Sequence, residues 1–198
     1  ISREVVVIAH PELFKQSFIL EPELVYAGPP FSQEEIIGFG GRWILSRDPL
    51  QIVPGVYTTG EIVVSERCSF EQEPTLEAYK IVDGEVVRDN FVDEIGLVVN
   101  TRGGLVVFLG CSHPGVVSMV RKACRVTGVD RVYTIIGGFH LVGVGDDRVR
   151  ETIRELEELG VERVYSGHCT GFRAEALFIH EFKGFFDKLY SGKEIVFE

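Results

Sequence analysis

Three histidines in this chain, His113, His140 and His168, occupy the same kind of place. An unbroken apolar run from Leu105 to Leu109 stops at Gly110 and is followed by His113. The run from Val132 to Ile136 ends in Gly137 and Gly138, and the loop then offers His140; Val161, Val164 and Tyr165 lead likewise into Gly167 and His168. Each imidazole sits just past the C-terminal end of an expected strand and before a helix-like segment, so the three loops gather along one sheet edge. Separations of 27 and 28 residues are too long for one helix face and suit successive βα units. Neutral imidazole nitrogen is a favoured zinc ligand, and three protein ligands with an open fourth position mark a catalytic metal site. Three histidines hydrogen-bonded separately at strand ends are the plainer alternative.

Other groups near these loops carry weaker signals. Cys111 and Cys169 lie beside two of the histidines, which permits a closed mixed Cys/His zinc site or a thiol nucleophile with a histidine base, against the simpler reading of small packing residues. His10 ends an N-terminal apolar run in the same manner and is a candidate for substrate binding on the same rim, or else a capping residue. Arg173 follows His168 by five residues at the start of the last helix, where a guanidinium and a helix N-terminus suit a phosphate or carboxylate. Asp93 and Glu94, and the pair Asp146 and Asp147, read as structural carboxylates, the latter at a positive helix end. His180 reads as an ordinary, partly buried helix residue.

The elements that must hold these residues divide the chain in two. In the first half, EVVVIA at 4–9 reads as a buried strand and PELFKQSF as a short helix begun by proline. The proline- and glycine-bearing span from Glu21 to Arg42 reads as mostly loop, with a helical turn at SQEEII, and is placed to roof a substrate pocket. Strand-like patches follow at RWILS, at 50–53 and at VYTTGEIVV. Two hairpins come next, one turning at Asp83-Gly84 and one near Thr101 to Gly104. In the second half, helices are expected at GVVSMVRKACRVTG, at DDRVRETIRELEELG and at AEALFIHEFKGFFDKL. Hairpins followed by βαβα suit an α+β class with two sheets and helices packed outside them, in one domain over 1–198 with an irregular insertion around 21–75.

Composition bounds the partners. The chain has 198 residues, 45% hydrophobic, enough for one substantial core. Thirty acidic residues against 20 basic give a formal charge of -10 with no basic run, which argues against nucleic acid but leaves room for a small-molecule anionic substrate gathered by local arginines. No apolar run approaches a membrane span and no signal-like leader is visible, so no membrane partner is expected. Four cysteines without a C-x-x-C pair suit reduced thiols and a cytoplasmic setting. A homodimer is left open.

The segments FVDEIGLVV, GLVVFLGCSHPGVV, TGVDRVYTIIGGFHLVG and SGHCTGFRA, with TTGEI upstream and AHPELF near the start, together resemble the metallo-β-lactamase superfamily. More narrowly, the chain resembles its dihydropterin-ribofuranosylaminobenzene phosphate synthase-like subfamily. That resemblance implies an αββα sandwich of metallo-β-lactamase fold with one or two metal ions at its edge, usually zinc, with manganese or iron as alternatives. In hydrolytic members a metal-bound hydroxide is the expected nucleophile. By position, His113 would bind the first metal and His168 the second; His140 stands where the superfamily usually has a bridging aspartate. The superfamily's H-x-H-x-D-H motif does not occur in the 198 residues, and its place is just before Ile1. The chain is therefore expected to be the C-terminal part of a longer enzyme whose remaining piece carries a strand layer and further ligands. The expected activity is metal-dependent hydrolysis of an ester or phosphoester, or pterinylmethyl transfer from a diphosphate to an arylamine. A non-catalytic metal-binding or interaction module of the same fold is the alternative, and a thiol hydrolase using Cys111 is a third.

Overall fold

The computed structural model describes residues 4–20, 22–72 and 75–197. Thirteen strands and four α-helices follow in order: β1 (Val5–Ala9), β2 (Ser17–Leu20), β3 (Leu24–Tyr26), α1 (Gln33–Gly38), β4 (Gly41–Leu45), β5 (Gln51–Val53), β6 (Val56–Thr58), β7 (Ala78–Val82), β8 (Glu85–Arg88), β9 (Leu97–Thr101), β10 (Gly104–Phe108), α2 (Val116–Thr127), β11 (Val132–Gly137), α3 (Asp146–Glu158), β12 (Arg163–Ser166), α4 (Phe172–Glu181) and β13 (Phe185–Lys188). The main sheet has seven strands in the order β13-β12-β11-β10-β9-β6-β5, accompanied by the four-stranded sheet β3-β2-β7-β8 and the pair β1-β4. Strands β10 to β13 run parallel, and β9, β6 and β5 extend the sheet antiparallel.

Side chains alternate across the central strands because successive Cβ atoms point to opposite faces. Leu105, Val107, Ile135 and Val164 face α2, α3 and α4, where they meet Val117, Val120, Ile153, Leu156 and Phe178 in the larger core. Their neighbours Val106, Ile136 and Tyr165 face the other way into a smaller cluster with Val99, Phe108 and Tyr133. The helices cover the sheet through apolar residues at helical spacing. Gly128 ends α2 in the left-handed region (φ 68°), a C-terminal stop that glycine makes without strain.

The N-terminus of α2 has no cap from its own N-cap residue, Gly115. Glu71 supplies one from a distant loop: its carboxylate accepts from Val117 N (3.0 Å), Ser118 N (2.7 Å) and Ser118 Oγ (2.6 Å) while only 3% exposed. Gly115 leaves the room this requires, since a Cβ there would stand 2.3 Å from the Glu71 carboxyl carbon.

Both expected hairpins form. Val82 pairs with Glu85 across Asp83 and Gly84, both at positive φ, and Thr101 pairs with Gly104. The helical turn at SQEEII is α1, begun by a reciprocal capping box between Ser32 and Glu35.

Four expectations are corrected. The segment 4–9 is not a buried strand: among the described residues β1 pairs only with β4, leaving Val5 50% and Val6 45% exposed. PELFKQSF forms only a 3-10 turn over Pro11–Phe14, after which Ser17 enters β2. Within VYTTGEIVV only Val56–Thr58 is strand. The last helix stops at Glu181, and Phe185–Lys188 becomes edge strand β13 beside β12. Gly184 marks the break. A Cβ there would lie 2.6 Å from the carbonyl oxygen of Glu162, so only glycine lets the chain pass this close to the preceding strand.

No helix of the described residues is long and apolar enough to cross a membrane.

Two predictions follow from these contacts. Replacing Glu71 with alanine strands buried donors at the head of α2 and should cost on the order of 3 kcal/mol in urea unfolding; a loss under about 0.5 kcal/mol would show that the cap is dispensable. Glu12 pairs with Lys80 and Arg47; burial opposes its charge, but these partners prevail and hold its carboxyl near 2 instead of 4.5. Its stabilising contribution is therefore present above pH 4.5 and lost as pH falls toward 2. Thermal unfolding of Glu12→Gln should depend less on pH across that window than the parent does.

Candidate functional site

The parallel register of the central strands continues past their ends. Gly138 N donates to Gly110 O (2.8 Å) and Gly167 N to Gly137 O (3.4 Å), so the loops carrying the three histidines leave the sheet side by side. Gly137 sits at φ 152°, and a Cβ there would lie 2.4 Å from Leu109 O, a close approach that only glycine permits. Hydroxyls tie the loops together. Ser112 Oγ donates to Gly138 O (2.7 Å), Phe139 N donates to Thr170 Oγ1 (3.0 Å) and Thr75 Oγ1 donates to His140 O (3.1 Å). Ser112, His140 and His168 all have positive φ (64°, 45° and 54°), a conformation non-glycine residues hold only where their surroundings enforce it.

His113 is oriented by a carboxylate. Its Nδ1 lies 2.8 Å from Glu94 Oε2, which also accepts the His113 main-chain N–H at 2.8 Å, while Ser112 N–H donates to Oε1. Burial opposes the charge on Glu94, but these contacts with His113 and Ser112 outweigh it and keep the carboxyl below its usual range. With Nδ1 held, Nε2 of His113 is the nitrogen left to face a ligand. Its ring stacks on Phe91 (centroids 4.3 Å, 15° apart) and lies against the ring of His140 (4.3 Å, 49°). Nδ1 of His140 is buried without a hydrogen-bond partner among the described residues.

His168 is exposed and clusters with Cys111 and Cys169, the three ligand atoms lying within 4.8 Å of one another. The thiol of Cys169 reaches toward Cys111 O (3.5 Å) and fills space that a side chain on Gly138 would occupy, an added Cβ falling 2.7 Å from the sulfur. The two sulfurs lie within 4.8 Å of each other. The neighbouring Cys111 thiol, opposed by burial and helped by the His140 ring and main-chain N–H, pulls Cys169 down; the Cys169 sulfur together with burial pushes Cys111 up. His140 thus touches both groups, with His113 on one side and Cys169 on the other.

A cleft of about 340 Å³ opens beside His113, lined by Lys15, Asp89, Phe91, Asp93, Glu94 and Cys111 among others. Lys15 is ion-paired with Asp89 (2.9 Å) and Asp93, and its ammonium stands 5.8 Å from the Phe91 ring centre. Ala27, Gly28 and Pro29, from the irregular span after Glu21, line an adjoining cavity that shares Lys15 and Asp93.

The remaining candidates lie elsewhere. His10 is 1% exposed and both ring nitrogens are engaged, Nδ1 accepting from Glu12 N (3.1 Å) and Nε2 lying 3.0 Å from Glu61. Arg173 is exposed at the start of α4 and holds Asp146 through two contacts of 2.6 and 3.0 Å. His180 is exposed instead of partly buried: Phe178 faces the core, and two residues further the helix has turned outward. Lys15, Asp89 and Phe91 carried no signal of their own, because each joins the cleft through contacts across tens of residues. Glu94 was visible only as one of two carboxylates before the strand IGLVV.

Comparison with known proteins supplies the context for this geometry. No family model matches the chain. It is 48% identical, over its whole length and 68% of the relative's, to the 7,8-dihydropterin-6-methyl-4-(beta-D-ribofuranosyl)-aminobenzene-5'-phosphate synthase of Methanocaldococcus jannaschii. Another protein of that organism, the uncharacterized MJ0448, is 30% identical over 85% of the chain and 59% of its own length. Among solved structures, Tm1679, described as a metal-dependent hydrolase of the beta-lactamase superfamily, superposes with a TM-score of 0.83 at 29% identity, covering 98% of this chain and 72% of its own. The chain has the metallo-β-lactamase fold and belongs to the dihydropterin-ribofuranosylaminobenzene phosphate synthase family of that superfamily.

Proposed function

We propose that this protein is a metal-dependent enzyme that joins a dihydropterinylmethyl group to the amine of a ribofuranosylaminobenzene phosphate. The observation that carries this is the 48% identity to the synthase along the entire chain. In the reaction the arylamine nitrogen forms a bond to the methylene carbon, the bond from that carbon to a diphosphate oxygen breaks, and one amine proton is released.

The residues present fit a metal ion. His140 has a buried nitrogen without a hydrogen-bond partner among the described residues, and His113 has its far nitrogen fixed by a carboxylate, the usual support for a ligating imidazole. His113 and His140 would hold the ion, with His168 at the other end of the group. Zinc suits the imidazoles best, with manganese or iron as alternatives. Such an ion supplies Lewis acidity and offsets negative charge on a departing phosphate oxygen. The chain's own groups do the rest. Phe91 offers an aromatic wall beside His113 for a flat ring system, and Asp93, the more accessible carboxylate on Lys15, can accept hydrogen bonds from an amino-pyrimidine edge or take up the amine proton. Four free cysteines suit a reducing cytoplasm.

Hydrolysis of an ester or phosphoester is the second reading, favoured by the likeness to the hydrolase Tm1679.

Incubation with the dihydropterinylmethyl diphosphate and the arylamine phosphate, followed by mass spectrometry, separates the two: the coupled product is expected, and release of pterin alcohol without coupling would support hydrolysis instead. Chelation should abolish turnover and zinc or manganese should restore it; full activity in chelator would overturn metal dependence. Glu94→Gln weakens the grip on His113 and should lower metal affinity roughly 10–100-fold in a competition titration, whereas Arg173→Ala should leave that affinity unchanged.

A further inference from the structure

Cys111 and Cys169 take no part in the function proposed above. The geometry points to this pair as a redox modification site: the two thiols close reversibly into a disulfide by exchange with a small-molecule disulfide that reaches them through the cleft. The inference does not rest on the reaction proposed above and is read without turnover.

The placement of the two sulfurs carries it. The cysteines stand on different loops, 58 residues apart in the chain, yet their sulfurs lie within 4.8 Å of each other. The Cys169 sulfur also comes within 3.5 Å of the Cys111 carbonyl oxygen, so it reaches its partner's backbone as well as its side chain. A disulfide needs its sulfurs about 2.0 Å apart and its Cβ atoms roughly 3.5–4.5 Å apart. Side-chain rotation with a small closing of the loops brings the pair to that geometry. The main-chain bonds from Gly138 to Gly110 and from Gly167 to Gly137 hold the loops in step while this happens. Gly138 leaves the space between them, since a Cβ there would stand 2.7 Å from the Cys169 sulfur. Packing alone asks only for small side chains at these positions, which alanine or serine would satisfy.

Access separates this pair from the other two cysteines. Both members are half-buried, and Cys111 lines the cleft of about 340 Å³ beside His113. Cys68 is buried in the larger core, and Cys124 packs against that core from α2. Exchange runs in two steps. One cysteine sulfur bonds to a sulfur of the reagent, whose S–S bond breaks, and the departing sulfur takes up the proton that the cysteine gives to solvent. The second cysteine sulfur then attacks the first, releasing the other half of the reagent as a thiol in the same way. The protein loses two hydrogens and is oxidised; the reagent gains them and is reduced. A bond that forms and reopens by exchange is also the kind of disulfide that reducing compartments hold.

Trypsin places each cysteine on its own peptide, 68–80, 103–121, 123–125 and 164–173, so mass spectrometry identifies any link directly. The purified protein, first reduced, is incubated with oxidised glutathione, alkylated to block remaining thiols and digested. Peptides 103–121 and 164–173 should be recovered mainly as one species, two hydrogens lighter than their sum, with 68–80 and 123–125 alkylated. Dithiothreitol should return both peptides to the alkylatable form. Cys111→Ser and Cys169→Ser should each abolish the joined species, and the double variant Cys68→Ser/Cys124→Ser should keep it. Cysteines 111 and 169 that stay alkylatable, or that stop at separate glutathione adducts, overturn the inference. So does a link that runs through Cys68 or Cys124.

Discussion

The functional edge of this molecule depends on one close approach of backbone to backbone. Parallel strands deliver their ends in step only as long as their register is kept, and here main-chain hydrogen bonds keep it beyond the strands, from Gly138 to Gly110 and from Gly167 to Gly137. A Cβ at Gly137 would lie inside the van der Waals shell of Leu109 O, and one at Gly138 would meet the Cys169 sulfur. Side chains at these two positions would spread the loops apart and separate His140 from both neighbours. The apolar runs before each loop supply the driving force, since Leu105, Val107, Ile135 and Val164 lock the strands beneath three helices. Each such fully buried side chain contributes roughly 1.5–3 kcal/mol.

Part of that stability is consumed at the loops themselves. Left-handed backbone at Ser112, His140 and His168 costs roughly 1–3 kcal/mol per residue. Hydrogen bonds from the Ser112 hydroxyl to Gly138 O and from Phe139 N–H to the Thr170 hydroxyl oxygen hold the loops against relaxation. In this conformation the ring of His140 lies against that of His113. The fold's core and its reactive edge are thus coupled, and helix packing maintains a conformation that an isolated loop would leave.

This explains which features were legible in the amino-acid order. Hairpins with Asp-Gly and glycine turns, and the alternation of apolar run, glycine, histidine and helix, are local patterns written within ten or twenty residues. The turn at Asp83-Gly84 and the three loop histidines could be read from them. The orientation of His113 could not, because Glu94 reaches it from before the preceding hairpin, and nothing in VDEIG distinguishes an orienting carboxylate from a solvated one. Lys15, Asp89 and Asp93 are likewise assembled by tertiary contact, across separations of 74 and 78 residues. Helix and strand were confused where one glycine decided the matter: the apolar spacing of FIHEFKGFFDKL continues through Gly184, but the backbone there must pass the carbonyl of Glu162. The exposure of β1 was hidden because an all-apolar run looks the same whether one or both faces are covered.

The electrostatics of the cleft join these points to the proposed chemistry. Its lining brings one ammonium, Lys15, against three carboxylates, Asp89, Asp93 and Glu94, and the ammonium is already bound to two of them. A phosphate or diphosphate entering here finds no spare cationic side chain among the described lining residues, and the formal charge of -10 on the whole chain adds to the repulsion. Arginine at 173 does not relieve this, since it is occupied with Asp146. On the function proposed above, a divalent cation held by His113 and His140 would supply positive charge that the described lining side chains do not. The same carboxylates that would repel a bare phosphate would then serve such an ion: Glu94 already orients His113, and acidic surroundings would favour retention of a cation.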